Sequence, residues 1–203
     1  RIVENDLAER LGMSRTPVRS ALQRLMQDGF ILSSSRGRKL RLVVSPLTRE
    51  DGLEVYHIVA ALDGLAARTA AGLPEDVRGR IAADMRAVNE QLRRASEEDV
   101  TDPVRLMNLH ASLHGRYLRE IDAPRLLALF AKIRPQADRY RRIYSTGNSG
   151  SRLQKSLEEH EDMIRAIEAG DVVAARRAAE ENWVQAAERL CRVIDVVGEH
   201  GRW

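Results

Sequence analysis

The chain has 203 residues, a formal net charge of +3, 43% hydrophobic residues and one cysteine. That length suffices for one or two domains with a sizeable core. A lone cysteine excludes an internal disulfide framework and fits a reducing compartment, and no apolar run approaches the roughly 18 residues of a membrane span, so a cytoplasmic protein with no membrane partner is expected.

Residues 1–44 carry nine Arg and Lys against four Asp and Glu, a net of +5 that leaves −2 for the remainder. A basic head on a mildly acidic body is the asymmetry of a DNA-binding domain joined to something else. Within the head, Leu7, Ala8 and Leu11 form an apolar face, Gly12 permits a turn, and Ser14 can cap a second helix whose first turn tolerates Pro17. Val18, Leu22 and Leu25 would point to the core, leaving Arg15, Thr16, Arg19 and Gln23 outside. Two short helices joined in this way form a helix-turn-helix, and arginine forks suit guanine edges and phosphates. Phe30-Ile31-Leu32 and the run Leu40 to Val44 then read as strands around a basic turn centred on Gly37, a hairpin wing.

Ser45-Pro46 breaks the last strand, and everything from Arg49 onward has helical period. Helices are expected near 49–72, 75–97, 103–119, 123–145, 151–168 and 171–197, separated by Gly, Pro and Asp breaks that stop one helix and cap the next. The fold class is therefore mostly α. A winged helix-turn-helix over 1–44 and a linker over 45–50 would precede an all-α bundle of about six helices over 51–203.

Polar residues on the apolar stripes of that bundle carry its chemistry. His110 and His114 lie one turn apart at the edge of the stripe Leu106, Leu109, Leu113 and Tyr117, close enough to chelate one ion. His160 falls between Leu157 and Ile164, and Asn182 lies in a stripe of Ala175, Ala179, Ala186, Val193 and Val197. Inward polar groups on separate helices are expected to converge, since each must find a partner. The alternative is that each histidine is a hydrogen-bonded core residue, and core packing is also the reading for His57. The helix from Arg49 carries apolar residues on two sides, Tyr56 and Ala60 against Ile58, Leu62 and Leu65, more than one internal face requires.

The run from Asp6-Leu7-Ala8 through Ser14-Arg15-Thr16-Pro17-Val18-Arg19 to Ala21-Leu22, with Leu25, Gly29 and Arg36-Gly37, resembles the winged-helix domain of the GntR family of bacterial transcription regulators. The resemblance implies DNA contacts from Ser14, Arg15, Thr16, Pro17 and Arg19, with Arg36 and Gly37 at a wing tip in the minor groove. Asn5 stands where some members have arginine, and the upstream helix usual in the family is missing, which suggests an N-terminally truncated chain.

The body is similar to the helical ligand domain (FCD) of one GntR branch. His114 and His160, the latter in Glu159-His160 ahead of Ala169-Gly170-Asp171, match two of that branch's metal ligands. His110 stands where Asp or Asn is usual, and Asn182 where the last His is usual. The implied cofactor is one divalent ion, zinc-like or nickel-like, with open positions for an effector oxygen. A metal-free polar pocket is the alternative. Val59 stands where many members have an arginine that grips an effector carboxylate, so either another basic group such as Arg134 or Arg139 takes that role or the ligand is not held that way.

The sequence thus points to a ligand-responsive, homodimeric regulator that is not an enzyme, with a palindromic operator in double-stranded DNA and a small-molecule effector as partners. A helical metalloenzyme built on the histidines lacks a Glu within the H-x-x-x-H run, a nucleophile elbow and a phosphate loop. A constitutive DNA-binding protein with an inert bundle remains a third reading.

Overall fold

The computed structural model describes residues 2–36, 39–98, 102–144 and 150–201. The chain divides into two compact units, Arg1–Thr48 with Glu199–Trp203, and Arg49–Gly198. The C-terminal segment goes with the first unit because Leu47 and His200 form a bridge, with backbone N–H to O distances of 2.8 and 3.2 Å.

In the first unit α1 (Glu4–Leu11) ends at Gly12, whose φ of 63° lets the chain turn sharply into α2 (Arg15–Gln27). Ser14 occupies the N-cap with extended backbone, although its side chain makes no cap hydrogen bond. Strands β1 (Ile31–Arg36) and β2 (Lys39–Val44) pair antiparallel, Ile31 opposite Val44 and Arg36 opposite Lys39. Ala8, Val18, Leu22 and Ile31 form a small core, backed by Ile2, Leu7, Met26 and Leu42. Leu11 and Leu25, expected in that core, are instead exposed, because they lie on helix sides that no described residue of this unit covers.

The second unit holds α3 (Arg49–Ala71), α4 (Glu75–Glu97), α5 (Pro103–Leu118), α6 (Pro124–Tyr144), α7 (Gly150–Ala169) and α8 (Val172–Val197). Two of the breaks supply the side-chain caps they implied, whereas Pro74 precedes α4 without one. Asp102 accepts from the Val104 amide at 2.9 Å, and Asp171 from those of Val173 and Ala174 at 3.1 and 2.9 Å. Helix α8 packs chiefly on α3, and α7 packs on both α4 and α8. The α3 face turned inward is made of small residues, among them Ala60, Ala66, Ala67 and Ala70, so neighbouring helices approach closely.

Two expected stripes shift. His57 is exposed, and Tyr56, Val59 and Ala60 take the inward positions of α3. On α8 the buried set is Ala175, Ala179, Asn182, Trp183, Ala187, Leu190, Cys191 and Ile194, whereas Val197 is exposed. The stripe follows the 3.6-residue period from Ala179 through Trp183 and Ala187, which turns position 186 aside.

Candidate functional site

In the first unit Val18 and Leu22 anchor α2, and this leaves Ser14, Arg15, Thr16, Pro17 and Arg19 exposed along its other side. The Arg19 guanidinium forms a fork with the Glu4 carboxylate, Nε to Oε2 at 3.1 Å and Nη2 to Oε1 at 2.8 Å. Arg36 closes β1, and Gly37, expected at the wing tip, lies outside the described residues. What the unit offers is an exposed, basic helix face beside a two-stranded hairpin. A helix of this kind fits the major groove of DNA.

In the second unit α5 and α7 bring the three imidazoles together. Ring centroids of His110 and His160 are 5.0 Å apart, and those of His114 and His160 are 5.8 Å apart. His114 and His160 are buried, at 2% and 0% exposure, and His110 is half-buried. Each buried ring is held from behind. His114 Nδ1 lies 2.8 Å from Asp63 Oδ2 and 3.1 Å from the Tyr117 hydroxyl, while His160 Nδ1 lies 3.0 Å from Asn89 Oδ1. His160 Nε2 is buried with no hydrogen-bond partner. Burial, reinforced by Arg141, pushes the His110 imidazolium well below its usual range. For His160 burial acts first and His110 next.

Asp63 is fully buried on α3, and its Oδ2 also accepts from the Trp183 indole at 2.9 Å. Burial opposes its charge, but His114, a hydrogen bond from Tyr117 and the field of Arg134 outweigh this and hold its carboxyl below the usual range. The Trp183 ring in turn carries two guanidinium groups from α6, with Cζ of Arg134 and Arg141 at 5.5 and 5.3 Å from its centroid. Nη2 of Arg134 and Nη1 of Arg141 are buried without hydrogen-bond partners, and the Arg134 Nε approaches Asp138 only to 3.7 Å. Arg139 is half-buried on the same helix. Asn182 donates to Glu159 Oε2 at 2.9 Å, and Glu159 is also forked by Arg189 at 2.8 and 3.0 Å.

The donor chemistry therefore suits a borderline divalent ion, since an orphaned imidazole nitrogen sits beside two further imidazoles. As the side chains stand, however, no group of three His, Cys, Asp or Glu among the described residues is arranged to hold a metal. Sequence reasoning brought the imidazoles together but did not single out Asn89, Arg141 or Trp183, nor the hydrogen bonds of Asp63. The available signal was a polar residue inside an apolar stripe: Asp63 lies between Val59 and Ala66, and Asn89 between Met85 and Leu92.

Both units match families of known proteins. Residues 54–184 match the FCD domain and residues 1–31 a winged helix-turn-helix DNA-binding domain. A protein of Paenarthrobacter nicotinovorans described as "Probable D-xylose utilization operon transcriptional repressor" is 28% identical over 180 residues, 86% of this chain and 72% of that protein. An uncharacterized HTH-type transcriptional regulator of Agrobacterium vitis is 33% identical over 97 residues, and that match takes in 47% of this chain and 54% of the relative, about half the relative's length. Among solved structures, E. coli McbR/YncC superposes with a TM-score of 0.69 at 21% identity, covering 94% of this chain and 86% of that one. A GntR family member from Pseudomonas syringae superposes at 0.58 with 22% identity, covering 96% and 78%. These last two establish the fold.

A winged helix-turn-helix joined to a helical domain of this type defines a DNA-binding transcription regulator, and the relatives described here are regulators, not enzymes. The chain belongs to the GntR family, in the branch that carries an FCD domain. No helix among the described residues is long and apolar enough to cross a membrane.

Proposed function

We propose that this regulator is ligand-responsive, controlled by a small organic acid or related metabolite bound in the helical unit. The observation that carries this reading is the polar cluster at the centre of that unit, where three imidazoles lie beside two guanidinium groups with unpaired buried donors. Buried donors without partners cost about 1–3 kcal/mol each, and an anionic ligand removes that cost. His110, His114 and His160, with Asn182, would hold one divalent ion, zinc-like or nickel-like. When bound, that ion supplies a Lewis-acidic contact for an effector oxygen. Arg134, with Arg141 or Arg139 on the same helix, takes the anionic end of the effector. The name of the Paenarthrobacter relative, which concerns use of a sugar, supports control by a small polar metabolite.

Ser14, Arg15, Thr16, Pro17 and Arg19, with Arg36 and Gly37 of the wing, would contact DNA. The functional unit is a homodimer on a palindromic operator, a reading supported by Ile58 and Leu65, which α3 leaves 42% and 44% exposed. An effector shifts operator affinity only through its differential affinity for two arrangements of the dimer. Zinc or nickel titration, followed by operator binding with and without a panel of organic acids, tests the reading. Stoichiometric metal binding and an acid-dependent change in operator affinity are expected. If neither is seen, the reading fails. A second reading, favoured by the unpartnered Arg134 Nη2 and Arg141 Nη1, is that the same cluster takes the acid without metal.

A further inference from the structure

The two buried histidines are fixed by acceptors. On α4, the Asn89 amide has a determined orientation, because its Nδ2 donates to the Leu157 carbonyl at 3.1 Å. Its Oδ1 is therefore the atom 3.0 Å from His160 Nδ1, and an amide oxygen only accepts. The proton must sit on His160 Nδ1, which leaves Nε2, buried and without a partner, as a lone pair. On α3, the Asp63 carboxylate makes the same demand on His114 Nδ1 at 2.8 Å. That oxygen already receives the Trp183 indole hydrogen at 2.9 Å, and the two guanidinium groups stacked on the Trp183 ring supply positive charge nearby.

We propose that Asp63 and Asn89 are positioning residues that hold the protons of His114 and His160 on Nδ1, presenting Nε2 of both rings as the nitrogens for a divalent cation. A hydrogen bond on the far nitrogen fixes ring orientation and raises ligand basicity. Asp63 has a second effect. Through one oxygen it also anchors the indole on which Arg134 and Arg141 rest, so a single buried carboxylate ties the imidazole side of the cluster to its guanidinium side.

The zinc arm of the test rests on the metal reading above, and the tautomer arm does not. Long-range 1H–15N spectra of metal-free wild-type protein at pH 7.5 should show Nδ1 protonated in both His114 and His160, and Nε2 unprotonated in His160. An unprotonated Nδ1 in either ring, or a protonated Nε2 in His160, overturns the proposal. Asn89→Leu should disturb the His160 pattern and leave that of His114 intact. Asp63→Leu, which removes the acceptor, should weaken zinc binding by about 10–100-fold. Wild-type-like zinc affinity in Asp63→Leu overturns the positioning role. Wild type with the expected tautomers but no zinc binding supports the tautomer lock and refutes the metal reading.

Discussion

At the residue scale, protons distinguish a working polar cluster from ordinary core. His110 and His160 resist protonation in the folded chain, chiefly through burial, whereas in the unfolded chain they titrate near the usual 6.5. Below that pH the unfolded state binds more protons, so their contribution to stability is complete above about 6.5 and is lost as pH falls. Asp63 also has a lowered folded pKa, but its contribution is lost only below its ordinary 3.8. Between pH 7.5 and 5 the histidines therefore dominate this part of the profile. Thermal unfolding of metal-free protein should show a midpoint that falls over that range, with a shallower fall in His160→Gln. A flat profile would mean that neither ring is held neutral. Convergence of the histidines was legible in the sequence, because each broke an apolar stripe. The groups behind them were less so: whether Asn89 meets His160 or solvent depends on how α4 and α7 are rotated against each other, which helical period alone does not specify.

At the element scale, helix existence and bounds were readable because the breaks carry Gly, Pro and Asp, whose backbone and capping preferences act locally. The finer facing of α8 was not, since position 186 or 187 is chosen by what α3 presents. Close approach gives a direct test. A Cβ added at Gly52 would sit 3.0 Å from Tyr140 Cε1 and 3.2 Å from Leu190 Cδ2, and Tyr140 is fixed by its 2.5 Å hydrogen bond to Asp51. Gly52→Ala should destabilise the chain by about 1–3 kcal/mol. At Gly79, on the exposed side of α4, an added Cβ meets nothing within 4 Å, so Gly79→Ala should stabilise by about 0.5–1 kcal/mol. Denaturant unfolding of the two variants checks both signs. In the first unit, Glu4 holds Arg19 beside the exposed side of α2, and DNA phosphates would compete for the same guanidinium. Arg15→Ala and Arg19→Ala should each cost about 1–3 kcal/mol of operator affinity if the side chain reads a base, and less if it touches phosphate. Fluorescence anisotropy across a salt series separates the two cases.

At the scale of the whole molecule, charge and chemistry divide along the chain. The basic winged unit supplies DNA binding, and the FCD unit supplies a buried cluster whose donors and acceptors are incompletely used. The head was legible because the run from Ser14 to Arg19 must at once start a helix, seat Val18 and leave arginines outside. The occupant of the cluster was not, because guanidinium and imidazole groups suit several small anions and ions. The central claim is that α2 reads DNA in the context of a symmetric dimer. Selection of bound sequences from a random double-stranded pool tests it most directly, run with wild type and with the Arg15→Ala, Arg19→Ala double variant. Enrichment of a two-fold symmetric motif by wild type, abolished in the variant, is the expected result. An unenriched pool, an asymmetric single half-site, or the same motif selected by both proteins would contradict it.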